Sequence, residues 1–167
     1  MFRPIPIAVG VLLGLATNSR SELARGTVFD DRNGNGIRDA REPGLPGVRV
    51  SNQRDIVVTD AQGRWELPVS DDSVVFVVKP RGWMPPTDRH HLPRFFYVHK
   101  PAGSPRSLKH PGVDPTGPLP ASIDFPLRPQ KEPKAFKAVF MGDTQPRDIR
   151  EVNYFRNSVV PKLVGTD

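Results

Sequence analysis

Residues 26–50, GTVFDDRNGNGIRDAREPGLPGVRV, decide how the chain reads. Within them the twelve residues Asp31 to Glu42 place oxygen-bearing side chains at the first, third, fifth, ninth and twelfth positions around a Gly at the sixth. Calcium takes roughly six to eight hard oxygen ligands, and a loop of this pattern supplies them by wrapping once around the ion. The spacing assigns calcium to side-chain oxygens of Asp31, Asn33 and Asn35, the carbonyl of Ile37, a direct or water-bridged Asp39, and a bidentate Glu42. Gly36 provides the sharp turn. An EF-hand would need a helix on each side. Here RGTVFD upstream is short and β-prone, and PGLPGV downstream carries two prolines and two glycines, so the loop is expected between strands. Two neutral amides with three carboxylates suit a millimolar extracellular calcium supply and a structural role.

The pattern around the loop is that of β structure. Val28, Val48 and Val50, Ile56 to Val58, Trp65 and Leu67, and the run VVFVV at 74–78 recur at short intervals with turn residues between them. That is the signature of a small sandwich. TDAQGRW at 59–65 reads as a hairpin, with Gly63 supplying a positive φ.

Composition then divides the chain. Thirteen of its twenty prolines lie between Pro80 and Pro133, and there are no cysteines, which excludes disulfides and zinc–thiolate sites. Residues 22–78 hold seven Arg against ten Asp and Glu, whereas residues 79–137 hold eleven Lys and Arg against four acids. The net charge of +6 therefore comes from the second stretch. No basic helix or Gly-aromatic nucleotide-binding signature accompanies it, so no nucleic-acid partner is expected.

At the N-terminus, one Arg precedes an apolar run from Ile5 to Ala16, too short to span a bilayer. Residues 1–21 read as a signal peptide, and an exported, periplasmic or extracellular bacterial protein is expected, with no transmembrane span.

The series G-T-V-F-x-D-x-N-x-N-G-x-x-D-x-x-E-P-G-L-P-G-V-x-V at 26–50, followed by T-D-x-x-G-R-W at 59–65, resembles the B-type repeats of bacterial surface adhesins of the serine-aspartate repeat and collagen-adhesin kind. The resemblance implies a prealbumin-like β-sandwich with bound calcium, assigned to residues 25–80. Some such domains carry a Lys–Asn isopeptide bond. This segment has no Lys before Lys79, so that cross-link is not expected.

Residues 81–133 are punctuated by proline yet aromatic, and Trp83, Phe95, Phe96 and Tyr97 need an edge strand or an interdomain face to pack against. His90, His91, His99 and His110 cluster there, but their spacing fits no helix or strand pair of metal ligands. Further on, KAFKAVFMGDTQPRD puts an apolar strand, Phe136 to Met141, directly before Gly142 and Asp143. A carboxylate at the end of a buried strand is where an open α/β sheet collects ligands. Ile149, Val152, Phe155, Val159 and Leu163 then recur at helical steps, with Pro161 expected to kink or end the helix near Val160.

With the blocks FFYVHKPAGSP at 95–105, PTGPLPASIDFPL at 115–127 and FMGDTQ at 140–145, the chain is similar to the opening of calcineurin-like metallophosphoesterases that carry an extra N-terminal β domain. The resemblance maps a metal-ligating Asp onto Asp143. The commoner pattern has His two residues later, where this chain has Gln145. It implies two divalent transition metals in a full-length parent, a phosphoester substrate, and a catalytic domain in cis, of which 134–167 would be the truncated β-α start of an α/β fold. Most of the ligands lie outside the chain, which is therefore expected to be inactive alone. The reading from a different class is a free-standing adhesin-like structural or interaction module of the cell surface.

Overall fold

A computed structural model describes residues 21–164. Residues 1–20, where the leader peptide is expected, lie outside the described residues. The chain divides into two units, the first ending at Lys131 and the second starting at Glu132.

The first unit is a β-sandwich of two four-stranded sheets. Its strands are β1 (Glu22–Asp30), β2 (Arg49–Ser51), β3 (Ile56–Val58), β4 (Arg64–Val69), β5 (Ser73–Val78), β6 (Trp83–Met84), β7 (Phe96–His99) and β8 (Phe125–Pro129). One sheet has the order β4-β1-β8-β6 and the other β3-β2-β5-β7. Strand β1 pairs antiparallel with β4, from Glu22↔Val69 to Thr27↔Arg64, and parallel with β8, from Val28↔Phe125 to Asp30↔Leu127.

Alternation explains which side chains face inward, since successive residues of a strand point to opposite faces. In β4, Trp65, Leu67 and Val69 are buried while Arg64, Glu66 and Pro68 are exposed. They meet Ala24 and Val28 of β1, Val50 of β2, Val75 and Val77 of β5, and Phe125 and Leu127 of β8 in one core. Trp65 stacks on Phe125 with ring centroids 5.8 Å apart. Burying each such side chain contributes about 1.5–3 kcal/mol.

Two sequence expectations change in this unit. The sandwich does not stop near residue 80: β6, β7 and β8 come from the Pro-rich stretch, and β8 lies inside its sheet, between β1 and β6. Trp83, Phe95 and Tyr97 find their packing against the core, while β6 and β7 form sheet edges, where proline-rich neighbours are tolerated. The 59–65 segment is a tight turn but not a hairpin. It carries the chain from β3 in one sheet to β4 in the other, with Gly63 N–H donating to the Asp60 carbonyl at 3.0 Å. Gly63 has φ 75°.

In the second unit Phe136 to Met141 form no strand, and Phe136 and Phe140 are 80% and 93% exposed. A lone strand has no partner for its main-chain N–H and C=O groups, so hydrophobicity alone does not make one. The predicted helix forms as α1 (Ile149–Tyr154), a π-helical stretch (Phe155–Val159) and α2 (Val160–Leu163). Pro161 does not end it. The wider π turn precedes the proline, which sits in the first turn of α2, where its missing N–H costs nothing. Asp148 caps α1, accepting the Glu151 N–H at 3.0 Å. Among the described residues no helix is long and apolar enough to cross a membrane.

Candidate functional site

The Asp31–Glu42 loop leaves the end of β1 and returns to it. Asp31 N–H donates to the Leu127 carbonyl at 2.9 Å, and after the loop Asp30 N–H donates to the Pro43 carbonyl at 3.0 Å and Leu45 N–H to the Val28 carbonyl at 2.8 Å. The segment after the loop is thus laid along β1. That close approach needs glycine: a Cβ on Gly44 would meet the Gln62 carbonyl oxygen at 1.8 Å, and one on Gly63 the Val28 carbonyl oxygen at 2.4 Å.

Inside the loop, Asp31 accepts Gly34 N–H at 2.8 Å on one oxygen and Gly36 N–H at 3.2 Å on the other. Asn33 and Asn35 fold into turns, their Oδ1 atoms accepting N–H from Asn35 at 3.0 Å and Ile37 at 2.7 Å. Their Nδ2 atoms both donate to Asp39 Oδ2, at 2.7 and 3.0 Å. Glu42 closes the loop, accepting Arg32 N–H at 2.9 Å and Asp39 N–H at 3.1 Å. Gly34 and Gly36 take φ 74°, the left-handed conformation the wrapping requires.

Of the six predicted ligands, Asp31 and Glu42 are buried, at 1% and 6% exposure, while Asn33, Asn35, Ile37 and Asp39 are exposed. Among the described residues no three His, Cys, Asp or Glu side chains are grouped to hold a metal ion. The chemistry of the donor set nevertheless fits a hard cation. Every ligand is oxygen, and the two buried carboxylates accept only uncharged main-chain N–H groups. A buried anion without a cationic partner is costly, and a cation would offset that cost.

Three residues at the rim escaped the sequence reading. Asp30, 8% exposed, binds Arg32 Nε through Oδ2 at 2.9 Å and leaves Oδ1 buried without a partner. The Asp-Asp doublet was the available signal. Arg128 of β8 crosses the loop, its Nη1 3.1 Å from where a Cβ on Gly34 would stand. Asp124 accepts Thr27 N–H at 2.8 Å and the Ser122 hydroxyl at 2.7 Å, fastening the approach to β8 onto β1. No sequence spacing reveals these last two, because their partners lie far off along the chain. A cleft of about 550 Å³ beside the loop is lined by Asn35, Arg94, Tyr97 and Asp124 among others.

The other candidates do not converge. His90, His91 and His110 are exposed, and His90 Nε2 accepts Arg89 Nε at 3.0 Å, whereas His99 is buried in β7 beside Tyr97. Asp143 and Gln145 are exposed in the second unit, joined by the Gln145 N–H donating to the Asp143 carbonyl at 3.1 Å.

A comparison with family models finds one likeness within this sandwich. Residues 32–110 match the N terminal of Calcineurin-like phosphoesterase. The calcineurin-like phosphoesterase match spans β2 to β7 and most of the loop, and excludes β1 and β8, the paired central strands of the first sheet. No curated protein matches the chain. Among solved structures the chain is similar to the Crystal Structure of the Major Plantain Pollen Allergen Pla l 1, at 13% identity over 70% of this chain and 100% of that one, with a TM-score of 0.36.

Proposed function

We propose that this chain supplies the N-terminal β domain of an exported calcineurin-like metallophosphoesterase, stabilised by calcium and serving a catalytic domain in cis. The observation that carries the reading is the family match over 32–110, with the calcium loop at its start. The accessory role follows from position: the match covers an N-terminal β domain, and the residues assigned to metal chemistry, Asp143 and Gln145, come after it in the chain.

In the loop, Asp31, Asn33, Asn35, Asp39 and Glu42 would hold calcium with the Ile37 carbonyl. The ion would supply positive charge beside the buried Asp31 and Glu42 carboxylates. Asp143, with Gln145, would help hold the metal of the catalytic domain, and the metal bound there would supply Lewis acidity for phosphoester hydrolysis. Asp143 and Gln145 alone cannot bind a pair of ions. Their part is to place one carboxylate and one amide ahead of α1.

Two measurements test the proposal. The coding sequence beyond Asp167 should continue with further Gly-Asp and Gly-Asn-His segments, and a frame without them overturns the phosphoesterase reading. The chain itself should show no turnover of a chromogenic phosphoester with added manganese; activity well above a blank overturns the assignment of catalysis to further residues.

A further inference from the structure

The loop from Lys100 to Thr116 is braced by its own hydrogen bonds and carries a basic, apolar tip. Its base is closed twice between the same residues, by Lys100 N–H to Thr116 Oγ1 at 3.0 Å and Thr116 N–H to the Lys100 carbonyl at 3.1 Å. A second tier is closed by Ser104 N–H to the Val113 carbonyl at 2.8 Å and Val113 N–H to Ser104 Oγ at 2.9 Å. The tip itself turns through Leu108 N–H to the Pro105 carbonyl at 3.2 Å. Four prolines at 101, 105, 111 and 115 restrict the chain further. Such a loop is ordered in advance, so binding through it costs little conformational entropy.

What it presents is unusual for a solvated turn. Leu108 and Val113 are 52% and 41% exposed, and Arg106, Lys109 and His110 stand exposed with them. Among the described residues none of those three forms an ion pair. The Arg106 and Lys109 cations beside exposed aliphatic side chains match a surface where anionic headgroups lie directly above acyl chains. A polynucleotide would reward the charges but not Leu108, and no Phe, Tyr or Trp stands at the tip to stack on bases.

We infer that the Arg106–Val113 tip docks on an anionic phospholipid bilayer, its cations at the headgroups and Leu108 at the acyl boundary. The inference stands apart from the phosphoesterase reading, since it uses neither the calcium loop nor Asp143.

Co-sedimentation of the full chain tests it. The chain should bind phosphatidylcholine vesicles containing phosphatidylglycerol and leave phosphatidylcholine alone in the supernatant, with binding falling as salt rises. Arg106→Gln and Lys109→Gln should each weaken binding about fivefold, as expected for one cation near an anionic surface. Leu108→Ser should weaken it too. Lys134→Gln and Lys137→Gln, each the same loss of one charge elsewhere, should change it little. Equal weakening by the two charge pairs would reduce the effect to net charge and overturn the docking site. Indifference to Leu108→Ser, or equal retention on a soluble polyanion such as heparin, would overturn the bilayer as the partner. All five residues are exposed, and unchanged far-ultraviolet circular dichroism would establish that the variants fold.

Discussion

The Glu42 carboxylate reaches back ten residues to accept the Arg32 main-chain N–H at 2.9 Å, so the last position of the loop fastens the second. A carboxylate that is buried and held only by neutral donors is poised to take a cation. Calcium that binds the folded state at a hundred times its dissociation constant adds about 2.7 kcal/mol. For a small domain that is a rise in melting temperature on the order of 10 °C. Calorimetry with calcium and with a chelator should show it, and Glu42→Gln should lose most of the difference. Identical melts for the parent chain in the two buffers would remove calcium from the loop.

Gly63→Ala should destabilise the first unit whether or not calcium is present. The substitution meets both a positive φ of 75° and a Cβ position 2.4 Å from the Val28 carbonyl oxygen. Strain of this kind costs about 1–3 kcal/mol, before any shift of the neighbouring backbone. A denaturant midpoint within error of the parent would mean that the turn and β1 do not meet as described.

Leu127 tests the extent of the domain. It is fully buried in β8, outside the family match, and Leu127→Ala should cost about 2–5 kcal/mol in urea unfolding. A fragment ending at residue 110 should fail to unfold cooperatively, while one ending at Lys131 should melt like the first unit of the whole chain. Equal cooperativity of the two fragments would make β8 dispensable.

In the second unit, Glu151 is held below the ordinary carboxylate range, first by the Arg147 main-chain N–H at 2.7 Å and then by the Arg147 guanidinium at 2.9 Å. A depressed carboxylate contributes above its unfolded pKa, and that contribution is lost as pH falls through the folded value. Acid should therefore release the start of α1, seen as a lower amide-exchange protection factor at Arg147. Glu151 is partly exposed and lies in the second unit, so the change should stay local and leave the sandwich melt untouched. An Arg147 protection factor that ignores acid would sever the link to Glu151.

Much of this was legible in local sequence, for reasons that can be stated residue by residue. The loop turns on residues a few positions apart, and its Asx turns at Asn33 and Asn35 and left-handed glycines at 34 and 36 are local events. Trp65, Leu67 and Val69 announce β4 because alternation is local as well. The apolar run Phe136 to Met141 misleads for the converse reason: it has the composition of a strand, but pairing needs a second chain segment alongside.

The sequence by itself determined a β protein with one oxygen-lined loop, a basic proline-rich stretch after it, and a helix beginning near Asp148. Only the tertiary structure decided that β8 slides in parallel beside β1, that the turn at 59–63 crosses between sheets, and that Arg128 lies over Gly34. Turn chemistry and side-chain period act over a few residues and are written where they act. Strand order and the contacts of Asp124 with Thr27, ninety-seven residues away, depend on which surfaces bury the most apolar area together, and no short window contains that information.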